Sequence, residues 1–404
     1  MSDIQVSRLF VYPVKSCAGV PVTQAQVSQT GLQWDRQWMV TDENYKFLTQ
    51  RQVGRMALVK PMFTGIVPER EGIWPAESAN SNEIAASSQS PQLILTTTNS
   101  STGTGTSKLP MATVAVPLYR SESKRAQETP VEVQVWADIV PAYDEGNEVA
   151  RWLSAFLGRP VRLVRYVIEQ GQRRTKVCRP TSVDIQQARL QGSEVDPAGK
   201  LRALQTPPTP TGSGSNSSSD GDGDNAPEWP GRIMLSDDAP ILMASELSLA
   251  DLNERLETPV DIRHFRPNIL INDQVTSDTA KSPSSTSTLS ASSSPLSTSP
   301  SLLTPFQEET WCRITIVPQD KAAPRTSETN STPVPTTLLV TSRCTRCVLT
   351  NNNPDTGIAN PKHQPLKTLM SYRRVDPGDK YHSCFGMNCV PVRSGRFEEL
   401  TVPS

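Results

Sequence analysis

The feature that most limits how this chain can fold is its succession of short β-type runs. Between Ile4 and about Lys60 the runs "VSRLFVYPV", "PVTQAQVS", "RQWMVTD", "KFLTQ" and "MALVKP" follow one another, separated by Gly, Pro and Asp-Glu-Asn turns. Runs this short at such spacing predict an all-β barrel or sandwich. "QLILTT" and "VEVQVWADIV" extend the pattern. The second reads as one strand, with Val131, Val133 and Val135 alternating against Glu132, Gln134 and Trp136.

The period then changes. In "YDEGNEVARWLSAFLGRP" the residues Val149, Trp152, Leu153, Phe156 and Leu157 share one helical face, and Gly158 and Pro160 are stop signals, which predicts a connecting helix over 143–159. "SELSLADLNERL" predicts a second helix, with Ser245 as its N-cap and Leu249, Leu252 and Leu256 along one face. "VRLVRYV", "NILIND", "CRITIV" and "TLLVTSRC" read as strands. The expected organisation is mainly β (α+β): a smaller β-rich, barrel-like domain over 1–142, the helix, and a larger β-barrel domain over 160–404. Four tracts interrupt it, near 79–90, 206–228, 277–301 and 322–335. Each is rich in Ser, Thr, Pro or Gly and too polar to offset its ordering entropy, so disordered inserts are expected there. A composition with 35 prolines and 5% aromatic residues agrees with that.

With 40 basic against 41 acidic residues the chain has no global field for gathering nucleic acid. "MSDIQVSRLFVYPVKSC" contains no signal-type apolar run, Arg-rich presequence or membrane span, so the expectation is a cytoplasmic protein. Seven cysteines, an odd number, argue for individual thiols rather than a disulfide frame. The histidines number three, His264, His363 and His382, which disfavours His-rich metal sites and Ser-His-Asp chemistry.

Candidate chemistry concentrates in "YPVKSC", "WDRQW", "HFRPN" and "SRCTRC". Lys15, Arg36, Arg266 and Asn268 lie beside strand-forming sequence and are expected at one mouth of a barrel, where a planar Arg fork and a Lys point charge suit a phosphate or polyoxo anion. The competing reading is solvated surface. Three readings of the cysteine pair stand side by side. One is zinc held by Cys344, Cys347, Cys384 and Cys389. Another is a redox dithiol, which ordinarily opens a helix in a βαβ context that this chain lacks. The third is a single thiolate beside Arg343 and Arg346, ligating a soft metal centre that anion contacts hold elsewhere.

Taken in order, "YPVKSCAGVPV", "DRQWMV", "SELSLADLNERL", "FRPNILI" and "CTRCVLTNNNPDTG" resemble the MOSC superfamily, which includes the amidoxime-reducing components and the C-terminal part of molybdenum cofactor sulfurases. The resemblance implies a MOSC β-barrel joined to a smaller N-terminal β domain, with a molybdenum cofactor between them. Carried over position by position, Cys347 would ligate molybdenum as the catalytic residue, with Cys344 structural. Lys15, Ser16, Arg36, Arg266 and Asn268 would hold the pterin and its phosphate, and Thr345 and Arg346 precede the ligand. In "SDDAP" Asp237 matches the family's phosphate loop, whereas Asp238 and Ala239 replace two hydroxyl residues. The implied activity is reduction of small N-hydroxylated substrates, with electrons from a cytochrome b5 and its NADH reductase. The rivals are a carrier or sulfur acceptor for the cofactor and a zinc-stabilised scaffold.

Overall fold

A computed structural model describes residues 4–66, 73–75, 90–97, 113–120, 128–167, 173–174, 232–273, 303–317, 335–391 and 398–401. Apart from Ser90 and Pro335, the four tracts expected to be disordered lie outside these residues. The chain is mainly β, with three α-helices among the described residues.

The largest sheet runs in the order Arg313–Ile316, Thr336–Thr345, Cys384–Pro391, Ile241–Ser245, Ile269–Asp273, Ile4–Val11, Val20–Ser28 and Glu398–Thr401. It therefore draws strands from both sides of the helix that was expected to separate two domains. Cys384–Pro391 is buried along its whole length, as befits a strand paired on both edges and covered on both faces. Val20–Ser28 buries Val20, Val22, Ala25 and Val27, and a register shift between Val22 and Gln24 keeps all four inward.

Ile241–Ser245 and Ile269–Asp273 pair in parallel, which requires a crossover. Helix α2 (Glu246–Glu254) supplies it, starting where the Ser245 hydroxyl accepts the Leu247 N–H at 3.2 Å. Helix α1 (Asn147–Leu157) buries Val149, Leu153 and Leu157, and ends on Gly158 at φ 72°. Helix α3 (Leu366–Tyr372) buries Leu369.

A second sheet runs Val131–Val135, Asp138–Asp144, Arg162–Tyr166, Trp38–Thr41 and Val14–Lys15; a third holds Val59–Thr64, Gln92–Thr97 and Val114–Pro117. Two sequence readings differ here. "VEVQVWADIV" is a hairpin rather than one strand: Val135 faces Asp138 across a turn of Trp136 and Ala137, and Trp136 takes φ 57°. No Gly or Asn marks that turn. The Trp136 ring lies 4.8 Å from Phe47 and beneath the Arg51 guanidinium at 4.8 Å, contacts that offset its unfavourable backbone. "KFLTQ" forms only isolated bridges, Thr41 with Phe47 and Lys46 with Gln134.

Candidate functional site

Strand ends of the two larger sheets meet at a cavity of about 530 Å³. All nine residues singled out from the sequence line it: Lys15, Ser16, Arg36, Asp237, Arg266, Asn268, Thr345, Arg346 and Cys347. The backbone is strained here. Ser16 (φ 63°), Arg36 (48°), Trp136 (57°) and Arg266 (57°) all line the cavity in the left-handed region, which non-glycine residues adopt only when surrounding contacts over-determine it.

Those contacts centre on Asn268, which is 1% exposed. Its Nδ2 donates to the Phe10 carbonyl (3.1 Å) and to Asp35 Oδ1 (2.9 Å), and its Oδ1 accepts from Leu242 N (3.1 Å) and Arg36 Nη1 (2.9 Å). Every donor and acceptor of the amide is thereby used, so Asn268 fixes the position of Arg36 instead of offering its side chain to a ligand. Arg36 also pairs with Asp35 and lies 4.6 Å from the Tyr12 ring. Burial pushes the Asp35 carboxyl up, against the pull of Arg36.

Arg266 packs on the other cationic contact of Tyr12, 4.4 Å from the ring, and donates to the Cys17 carbonyl. Burial lowers its pKa, and no carboxylate among the described residues forms an ion pair with it. Arg346 donates to the Phe385 carbonyl from Nε (2.9 Å) and Nη2 (2.6 Å) and to the Phe265 carbonyl from Nη1 (3.0 Å), tying the cysteine loop to the neighbouring strand and to the "HFRPN" turn. Lys15 donates to the Leu235 carbonyl at 2.8 Å and pairs with Asp237, which also accepts from Trp136 Nε1 at 2.9 Å. The Asp237 side chain is half exposed; partial desolvation opposes its ionisation, but the charge and hydrogen bond of Lys15 outweigh it and hold the carboxyl well below its usual range.

The two cysteines of the pair differ. Cys347 Sγ receives Arg51 Nε at 3.2 Å and Nη2 at 3.0 Å. Cys344 Sγ has only a 3.9 Å contact with the Thr345 carbonyl, and burial pushes its thiol up. Cys384 and Cys389, the other members of the zinc reading, are buried in the sheet, and burial raises both thiols. Among the described residues no group of three or more His, Cys, Asp or Glu side chains could hold a metal ion.

Arg51 and Trp136 were not found from the sequence, nor was His264 as a site residue. His264 is buried, and desolvation lowers its pKa; its Nδ1 lies 2.8 Å from the Thr350 carbonyl. A carbonyl only accepts, so the ring proton sits on Nδ1 and Nε2 remains an acceptor. The site thus offers one guanidinium-bound sulfur, cations supported by carbonyls and aromatic faces, and, among the described residues, no group of three or more protein donors for a metal. That donor set fits a metal that arrives with its own ligands and an anionic tail, as in a pterin-based molybdenum cofactor, better than a metal ligated wholly by protein.

Comparison with known proteins gives related answers. Residues 3–74 match the MOSC N-terminal beta barrel domain and residues 230–287 the MOSC domain. The mitochondrial amidoxime reducing component 2 of Rattus norvegicus is 26% identical over 393 residues, covering 95% of this chain and 77% of that protein. The mitochondrial amidoxime-reducing component 1 of Homo sapiens is 25% identical, covering 93% and 74%. The molybdenum cofactor sulfurase of Homo sapiens is 32% identical over 160 residues, which is 40% of this chain and 14% of that protein. No described helix is long and apolar enough to cross a membrane.

Proposed function

We propose, for a chain that carries a MOSC N-terminal beta barrel domain and a MOSC domain, a molybdenum-cofactor-dependent oxidoreductase. It removes oxygen from small N-hydroxylated substrates with electrons from a cytochrome b5 and its NADH reductase. The observation that carries this reading is the pairing of one guanidinium-bound sulfur, Cys347, with a cation-lined cavity in which, among the described residues, no group of three or more His, Cys, Asp or Glu side chains could hold a metal ion.

In this reading Cys347 ligates the metal, and the Arg51 fork orients its sulfur. Lys15, Arg36 and Arg266 hold the anionic parts of the cofactor, with Ser16 and Thr345 at the same wall. Asn268 and Arg346 position these residues, and Asp237 sets the direction of Lys15. When bound, the cofactor supplies two-electron oxygen-atom transfer; the protein supplies charge, orientation and access. The division into domains over 1–142 and 160–404 belongs to this proposal, with Ile4–Val11 and Val20–Ser28 completing the larger sheet. The proposed compartment is the cytoplasm, and a tagged chain that fractionates with mitochondria would overturn that part.

The test is reconstitution. Loaded protein mixed with cytochrome b5, its reductase and NADH should reduce benzamidoxime at a rate that saturates with cytochrome. The second reading, a cofactor carrier or sulfur acceptor, is favoured by one observation: Asp237 already neutralises Lys15, and Asp238 adds a carboxylate to the same wall, both of which weaken the hold on an anion. Loaded protein that is inert with every donor but activates an apo-molybdoenzyme would decide for the carrier.

A further inference from the structure

Two histidines line the first cavity, His264 and His382, and the buried one keeps a lone pair that the proposed cofactor site does not use. His264 closes the turn Ile262–His264, which is held by Asp261, whose carboxylate accepts the Arg263 N–H at 2.7 Å. The residue is 9% exposed.

Its ring is fixed along one edge. Nδ1 lies 2.8 Å from the Thr350 carbonyl, and Thr350 in turn donates to the Cys347 carbonyl from its N–H at 3.1 Å and its hydroxyl at 2.9 Å. The imidazole is thus tied to the turn that begins at the proposed metal ligand. Because the Thr350 carbonyl only accepts, the proton stays on Nδ1 and Nε2 carries the lone pair. Desolvation lowers the His264 pKa against the opposing pull of the Thr350 carbonyl, Asp261 and Asp355, so the ring is neutral at physiological pH.

Nε2 makes no hydrogen bond among the described residues, yet it is not sealed in. The fully enclosed side-chain atoms that lack a partner include the Tyr12 and Ser383 hydroxyls but not His264 Nε2. The atom therefore opens onto the cavity space that the residue lines. A neutral acceptor contrasts with Arg51, Arg266 and Arg346, which line the same cavity. It suits no anion and calls for an N–H or O–H donor.

We propose that His264 Nε2 anchors the substrate, accepting a hydrogen bond from an N–H or O–H group on or beside the nitrogen that loses oxygen. The ligand class is a small neutral molecule with such a donor at its reacting end, an amidoxime or a hydroxylamine rather than an N-oxide that has none. A site built to hydrogen-bond its ligand discriminates against the analogue that cannot reciprocate. The ligand's identity as substrate rests on the reductase reading; the open acceptor does not.

The experiment uses loaded protein and calorimetry with two amides that carry no N–O bond: benzamide, which has N–H donors, and N,N-dimethylbenzamide, which has none. Wild type should prefer benzamide. His264→Asn keeps a donor for the Thr350 carbonyl, since its amide nitrogen stands where Nδ1 stood, and removes the acceptor at the Nε2 position. The preference should shrink by about 3- to 10-fold, through weaker benzamide binding alone, and KM for benzamidoxime should rise by a similar factor. His264→Gln, whose amide oxygen reaches the Nε2 position, should restore most of the preference. A purely structural histidine would move both amides together. Molybdenum and pterin per folded chain should stay constant in both variants. No preference for benzamide in wild type, or a preference unchanged in His264→Asn, would overturn the inference. Pterin lost from folded His264→Asn would also overturn it, by giving the lone pair to the cofactor. A preference that shrinks as expected, in protein inert with every electron donor, would uphold the acceptor and overturn the reductase reading instead.

Discussion

Around Glu309, two arginines each find a carboxylate oxygen: Arg343 Nε at 2.8 Å, and Arg373 through Nη2. Around the first cavity Arg36 pairs with Asp35, but the other arginines are met differently. Arg266 finds a backbone carbonyl and a tyrosine face, Arg346 finds three contacts to carbonyls, and Arg51 finds a sulfur and a tryptophan face. In the first cluster each guanidinium has a carboxylate partner within the chain. In the second, Arg51, Arg266 and Arg346 are supported without an ion pair among the described residues, an arrangement that costs stability and is retained where a ligand brings the missing negative charge. The same contrast holds for the cysteines, since Cys347 receives two guanidinium donors and Cys344 none.

Five substitutions can break or sharpen this contrast. The largest effect belongs to Cys347→Ser, which should abolish reductase activity because a hydroxyl is a harder and far less acidic ligand, whereas Cys344→Ser should retain it. Equal loss in both would return the pair to a dithiol or zinc role. Next, Glu309→Ala strands two buried guanidinium groups and should cost about 3–5 kcal/mol in urea unfolding, with molybdenum per folded chain unchanged.

Beside it, Glu308 offers a test by pH. Burial, opposed by hydrogen bonds from Ser248 at 2.8 and 3.1 Å, pushes the Glu308 carboxyl up to about 7 from an ordinary 4.5. A carboxyl raised in the folded state contributes its stability in full below about 4.5 and loses it as pH rises through about 7, a change of roughly 3 kcal/mol at most. Unfolding midpoints should therefore fall between about pH 5 and pH 8, and Glu308→Gln should flatten that slope. The smallest expected effect is that of Arg266→Ala: a charge-assisted contact worth about 1.5–3 kcal/mol is lost from cofactor binding, while the apo-protein keeps or gains stability. Activity per bound molybdenum should then change less than activity per chain.

Much of this was legible in the sequence because local rules and tertiary structure agree. Ser245 caps α2 as its position predicts, Gly158 ends α1, and Ile269–Asp273 and Thr336–Thr345 form where β-branched runs stand. Trp136 was not legible, because a tryptophan in a two-residue turn contradicts turn chemistry and is held there by Phe47, Arg51 and Asp237, residues far away in sequence. Arg51 carries no local mark either; its partner Cys347 lies 296 residues further along the chain. The full use of Asn268 by four hydrogen bonds depends on Phe10, Asp35, Arg36 and Leu242 arriving together, which no spacing reveals.

The central claim is that the cation-lined cavity holds a molybdenum cofactor through Cys347. Its most direct test is metal and pterin analysis of wild-type and Cys347→Ser protein purified from a host that makes the cofactor. The account predicts molybdenum and pterin together, approaching one per chain in the wild type, and molybdenum sharply reduced in the variant. Stoichiometric zinc with no pterin in the wild type would contradict it.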